Sequence, residues 1–301
     1  MKYALLCVAL ISLTSHSLAL AAVDIFACEP EWKALAEEIG GDKVSAYTAT
    51  TAFQDPHHIE ARPSLIARAR SADLLFCTGA ELEVGWLPLL LRQSGNNNIQ
   101  IGKPGYLMAA DHVDKIEVPD RVDRSQGDVH ASGNPHVHLD PRRLLIIADV
   151  LAQRLVQIDA DNSDFYRQSL SSFRQRWQQA ISVWERDAKD LRGKKLVIHH
   201  RNLSYLFDWL GLVIVADLEP KPGLPPTSSH LVSLLQHIKQ SRPDMIVLAA
   251  YQNPRGAQWL KKRTALPVVT VPYTVGGNRQ SGDLYSLFDS TIQLLAAAKG
   301  G

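Results

Sequence analysis

DNSDFYRQSLSSFRQRWQQAISVWERDAKDLRG, residues 161–193, contains no proline and no glycine before its last position. Phe165, Leu170, Phe173, Trp177, Ile181, Trp184, Ala188 and Leu191 recur mostly at three- and four-residue steps, which places one apolar stripe along a helix. Asp161 with Asp164 suits its start and Gly193 its end. At about 1.5 Å per residue such a helix is roughly 45 Å long, enough to run the length of two lobes. A coiled-coil dimer is the competing reading, but the stripe is single and short, so an intramolecular backbone helix is expected.

On either side of it the pattern is α/β. Residues 23–28 (Val-Asp-Ile-Phe-Ala-Cys) read as a strand and 29–40 as a helix stopped by the Gly40-Gly41 pair. Residues 44–48 and 74–78 read as further strands, with a proline-led helix at 63–70 between them. After the long helix, 195–198, 213–215, 245–249 and 268–271 are short apolar runs separated by amphipathic segments. Such alternation implies parallel sheets with helices on both faces, and its occurrence twice implies two similar lobes. The expected organisation is a signal peptide at 1–21, an N-terminal α/β lobe at 22–158, a linking helix at 159–193 and a C-terminal α/β lobe at 194–301.

The 32 Lys and Arg nearly cancel the 31 Asp and Glu and form no basic stripe, so neither nucleic acid nor an anionic membrane is an expected partner. Lys2, the apolar run 3–13 and Ala19-Leu20-Ala21 have the order of an export leader with its cleavage site. Cys7 lies inside the apolar run and no cysteine follows it at a lipoprotein position. The expected mature chain starts near Ala22 and is soluble, exported, and periplasmic in a cell with two membranes. Two cysteines remain, Cys28 and Cys77. In an oxidising compartment a bridge between them is expected; metal ligation by the thiols is the runner-up, weakened by the absence of close C-x-x-C spacing.

Three histidine islands interrupt this framework: Asp55-Pro56-His57-His58-Ile59-Glu60, Asn134-Pro135-His136-Val137-His138-Leu139-Asp140-Pro141, and Val197-Ile198-His199-His200. Each follows the end of a strand or loop and precedes a helix. In open parallel sheets ligands bind beyond the carboxyl ends of the strands, where such residues converge, and three imidazoles with one carboxylate fill a tetrahedral zinc shell. The residues alone leave open which histidine of the pairs 57/58, 136/138 and 199/200 would ligate. Between the first two islands, residues 111–133 are rich in Asp, Arg, Ser and Gly and include His112 and His130. A loop of this length tends to be functional or mobile, and it reads as a gate that orders when metal binds, with His130 either a transient ligand or a bystander.

The islands resemble the three motifs of the metal-specific solute-binding proteins of ABC importers, the zinc/manganese group, over essentially the whole mature chain. In that resemblance the His after Pro in the first island is His57, the second island supplies His136, and Tyr205, five positions on, selects His200. Thr274-Val275-Gly276-Gly277 followed by Gly282-Asp283-Leu284-Tyr285 is similar to the AztC-like subgroup and selects Asp283 as an acidic fourth ligand. Two departures stand out: His138 occupies a position where the family usually carries Trp, and the His/Asp-rich loop of many zinc members is reduced to residues 111–133.

The resemblance implies two lobes joined by the long helix, a metal site in the cleft between them, and a binding protein without enzymatic activity. It also implies capture of zinc and its delivery to the membrane permease subunits of an ABC importer, with a periplasmic metallochaperone as a further partner and the chain itself a monomer. Three nitrogens and one carboxylate suit zinc, whereas manganese prefers more oxygen. A zinc hydrolase is the rival reading, since three histidines with an open position can activate water, but Glu60, the obvious base, has no evident partner. A surface or adhesive protein with incidental zinc is the third.

Overall fold

The computed structural model describes residues 22–121 and 127–298; the expected signal peptide at 1–21 and residues 122–126 of the loop lie outside them. Two parallel four-stranded sheets repeat one topology. In the first, β1 (Val23–Ala27) lies between β2 (Val44–Thr48) and β3 (Leu74–Cys77), and β4 (Tyr106–Met108) flanks β3, giving the order β2-β1-β3-β4. In the second, β5 (Lys195–Ile198), β6 (Val213–Asp217), β7 (Met245–Ala249) and β8 (Val268–Val271) are ordered β6-β5-β7-β8. The interior strands β3 and β7 are buried at every position, because helices cover both faces of a parallel sheet. β4 escapes a reading by pattern. It is three residues long, and Gly105 before it is required: a Cβ there would sit 2.3 Å from the Asp73 carbonyl oxygen.

Helices α1 (Pro30–Gly40), α2 (Pro63–Ser71) and α3 (Leu87–Ser94) cover the first sheet, each with proline in its first turn, where the missing N–H costs nothing. α4 (Pro141–Ile158) opens on Asp140, whose side chain accepts from the Arg142 N–H at 2.9 Å. α6 (Ser204–Leu210), α7 (Ser228–Ser241), α8 (Arg255–Thr264) and α9 (Leu284–Ala297) serve the second lobe. The disulfide Cys28–Cys77, with Cα atoms 4.8 Å apart, joins the ends of β1 and β3.

The long helix α5 (Ser163–Asp187) is shorter than its apolar stripe. A 3-10 turn at Ala160–Asn162 precedes it, the Asn162 side chain bonds Asp159 and does not cap the helix, and a second 3-10 turn, Lys189–Leu191, carries the stripe on. Gly193, at φ +79°, turns the chain into β5 and does not cap the helix. Tyr166, outside the expected stripe, is fully buried with its hydroxyl on Asp159 at 2.6 Å.

α5 packs on α1 and α4 of one lobe and α9 of the other. Trp177 stacks on Phe173, centroids 5.1 Å apart, meets Tyr285 of α9 at 4.8 Å, and donates its indole N–H to the Pro141 carbonyl at 2.8 Å. Trp184 stacks on Phe288 at 4.8 Å and donates to Asp289. One continuous apolar core therefore contains Ile25 and Phe76 of the first sheet, Ile198 and Val247 of the second, and the aromatic ridge between them. A helix without proline or internal glycine has no built-in kink, and a core shared across it opposes independent lobe movement. Trp177→Ala is expected to lower unfolding free energy by about 3–5 kcal/mol, read as a lowered urea midpoint.

Candidate metal centre

The carboxyl ends of β1, β2, β5 and β7 face one crevice, and the three islands enter it. His57 sits in the loop after β2, where Asp55 Oδ1 accepts from the His57 backbone N–H at 3.0 Å and from its ring Nδ1 at 2.7 Å. His200 directly follows β5, and its Nδ1 meets Glu219 Oε2 at 2.7 Å. His136 is set by Asn134, whose side-chain oxygen accepts the His136 N–H at 3.0 Å, and its Nδ1 lies 2.7 Å from the Tyr273 hydroxyl. Asn134 is itself a crosspiece: its amide donates to Glu117 and to the Arg201 carbonyl at 2.7 Å, and its carbonyl accepts the Tyr205 hydroxyl at 2.6 Å. Tyr205 thus braces the second island against the third.

A carboxylate can only accept, so His57 and His200 must carry their protons on Nδ1, leaving both Nε2 lone pairs bare. His136 Nε2 is buried with no hydrogen-bond partner. One ligand nitrogen from each of His57, His136 and His200 lies within 4.8 Å of the others. Each ring is thereby fixed by an outer partner (Asp55, Tyr273 or Glu219) and turned so that its free nitrogen points inward, the arrangement that orients metal-ligating histidines.

A fourth imidazole stands beside His57. His130 Nε2 lies 3.2 Å from His57 Nε2, and its ring centroid is 6.4 Å from that of His136. Burial first, and then the neighbouring His57 and His200, push His136 well below the ordinary histidine value and His130 down to about 3. Burial, the largest single influence, raises the Asp55 carboxyl, but the side-chain and backbone hydrogen bonds from His57 together with the nearby His57 and His58 rings outweigh it, and the net value is lowered. Burial, then Glu31, raises Tyr273 far above the usual phenol range, so its hydroxyl keeps its proton.

Behind this layer is a buried polar joint. His138 Nδ1 stands 3.1 Å from Glu31 Oε1 of α1, and its Nε2 is 3.0 Å from the Tyr273 carbonyl. Thr274 donates to the other Glu31 oxygen. His138 is therefore not among the converging nitrogens. Nor is His58, which is exposed and lies 3.6 Å from Asp128, nor His199, which packs 3.6 Å from Glu219. His112 is exposed in a 3-10 turn.

Asp283 is not brought to the cluster. It is the exposed N-cap of α9, where its Oδ1 accepts from the Ser286 N–H at 2.7 Å and hydroxyl at 2.8 Å. It lines a separate cleft with Glu38, Phe53 and Val275. Its Oδ1 is engaged in the capping box, away from the three histidines, and the imidazole that the structure sets beside His57 is that of His130.

The sequence from residue 25 to 298 matches the model of the family described as ZnuA, zinc-uptake complex component A, periplasmic. The chain belongs to that family. Among its relatives are the manganese ABC transporter substrate-binding lipoprotein PsaA of Streptococcus pneumoniae and the metal ABC transporter substrate-binding lipoprotein SsaB of Streptococcus sanguinis. They are 22% and 23% identical, and each alignment spans 83% of this chain and 80% of the relative. A crystal structure of ZnuA superposes with a TM-score of 0.76 at 20% identity, covering 92% of this chain and 99% of that one. A cadmium-bound periplasmic metal-binding protein from Candidatus Liberibacter asiaticus gives 0.73 at 16% identity, covering 90% and 97%. The ZnuA-like fold and the family together make this an extracytoplasmic, metal-binding component of an ABC importer and not an enzyme.

Asp55, two residues before His57, follows the local pattern by which an Asp side chain bonds backbone two positions on, so it was readable in principle. Glu219, Tyr273 and His130 reach their partners across 19, 137 and 73 positions, with no local signal. Two outcomes are expected. Asp283→Ala costs about 1 kcal/mol of stability through the lost cap and leaves metal affinity unchanged, checked by denaturation and calorimetric titration. In the metal-free protein the His136 ring nitrogens keep neutral-form NMR shifts below the pH of about 6.5 at which an ordinary histidine titrates, because burial disfavours its protonated form; a midpoint at that ordinary value would contradict this.

Proposed function

We propose that this protein captures one Zn2+ outside the cytoplasmic membrane through His57, His136, His200 and His130 and delivers it to an ABC-type permease. The observation that carries the reading is that one ring nitrogen from each of His57, His136 and His200 lies within 4.8 Å of the others, each ring being held by its own partner. Tetrahedral zinc, with bonds to nitrogen of about 2.0–2.1 Å, needs donors roughly 3.3 Å apart. The His57–His130 pair already has that spacing at 3.2 Å. The three islands are within 4.8 Å and close on the ion by small ring movements.

An all-imidazole set favours zinc. Manganese, the ion in the name of PsaA, is better served by carboxylate and water oxygens, and in this cluster the carboxylates Asp55 and Glu219 are turned to the far nitrogens of the rings. The cargo is therefore zinc, and PsaA's ion does not transfer. The leader expected at 1–21 has no cysteine after its apolar core, so in this reading the mature protein is released into the periplasm, unlike relatives named as lipoproteins.

Metal analysis of the purified mature protein after dialysis tests the assignment. One zinc per chain is expected, with affinity on the order of a hundredfold or more above manganese, as nitrogen donors and the divalent-metal order imply. His57→Ala, His136→Ala and His200→Ala should each lower zinc affinity by orders of magnitude. Glu219→Ala, which frees a ring without removing it, should cost about 10–100-fold. Tight manganese binding, or zinc binding indifferent to His136→Ala, would overturn it.

A further inference from the structure

Three consecutive residues after β3, Gly79, Ala80 and Glu81, have φ of +79°, +48° and +68°. Glycine takes that region freely, but alanine and glutamate persist there only when their surroundings hold them. The holding group is Glu83. Its carboxylate, on a residue only 2% exposed, accepts from the Thr78 N–H at 2.7 Å and the Gly79 N–H at 3.0 Å. Gly79 is pressed so closely on Met108 that a Cβ would lie 2.9 Å from the methionine Cβ.

This strained turn holds the segment that carries His130: Glu81 Oε2 accepts the Ala131 N–H at 2.6 Å. Toward the other lobe, the Asp128 N–H reaches the Pro222 carbonyl at 3.0 Å and the Asp128 carboxylate lies against Gly223. His130 thus differs from the other three rings. They sit at strand ends and braced loops, whereas it lies on a segment that this turn holds at Ala131.

We propose that the turn is a catch for the fourth imidazole, with Glu81 as its positioning residue: by holding the Ala131 amide it keeps His130 Nε2 beside His57 and slows escape of the cargo. The proposal rests on the zinc reading above. The test uses the full mature chain loaded with one Zn2+ and mixed with excess chromogenic chelator, release being followed by stopped flow. Glu81→Ala should release zinc about tenfold faster, in the range of lost outer-partner contacts, while Glu81→Gln, whose amide oxygen still accepts from Ala131, stays within about twofold of the parent. Glu81→Ala should add nothing in a His130→Ala background, because it acts through that ring. The Ala131 amide should exchange faster in Glu81→Ala, with an unchanged melting temperature since Glu81 is exposed.

Parent-like release from Glu81→Ala, or equal acceleration in the His130→Ala background, overturns the catch. If Glu81→Gln releases as fast as Glu81→Ala, the side chain acts through its charge and the positioning role falls. Should His136→Ala bind zinc as the parent does, the cluster is not the zinc centre and both readings fall; if His136→Ala abolishes binding while Glu81→Ala behaves as the parent, only the catch is lost.

Discussion

Burying the Nε2 of His136 without a hydrogen-bond partner costs about 1–3 kcal/mol, and much of the surrounding structure serves to keep it there. An imidazole in that position would ordinarily rotate to bond something or take a proton and turn to water. Here Asn134 fixes its backbone, Tyr273 holds its Nδ1, and burial with the neighbouring rings suppresses protonation. The inward nitrogens of the three rings crowd one another, and a cation between them would relieve that crowding. Binding energy for a metal is thus prepared in advance, because the entropy of orienting each ligand has already been lost in folding.

That preparation depends on a scaffold that does not bend. The aromatic ridge of α5 belongs to the cores of both lobes at once, and the Glu31–His138–Tyr273 joint ties them again beneath the metal-facing layer. Two sheets of identical topology would by themselves suggest a hinged clamp. The shared core makes them a fixed frame, and the adjustable parts are then side chains and the short segment carrying His130.

Much of this architecture was legible in the sequence because it is written in short-range pattern. Seven of the eight strands follow apolar runs bounded by turn residues, and the stripe through Phe173, Trp177 and Trp184 marked the linking helix. β4 was not legible, since three residues carry no period. His57, His136 and His200 could be chosen from their neighbours only by resemblance. Asp283 shows the limit of that route: its spacing from Ser286 is also that of a capping box, and the local chemistry prevailed. His130 was visible only as a histidine in a polar loop, because its approach to His57 is a product of tertiary closure.

Asn134 has a mechanical meaning as well. Its bonds to the Arg201 carbonyl and from Tyr205, together with the two contacts of Tyr273 to His136 and His138, weld the second island to the C-terminal lobe although the chain places it before the linking helix. His136 and His200 therefore behave as one jaw, immobile relative to each other. His57 and His130, on loops of the N-terminal lobe, form the opposing jaw. On the reading proposed above, an ion would leave the centre by the side that yields, so a permease unloading this protein would need to pull on only one face of it.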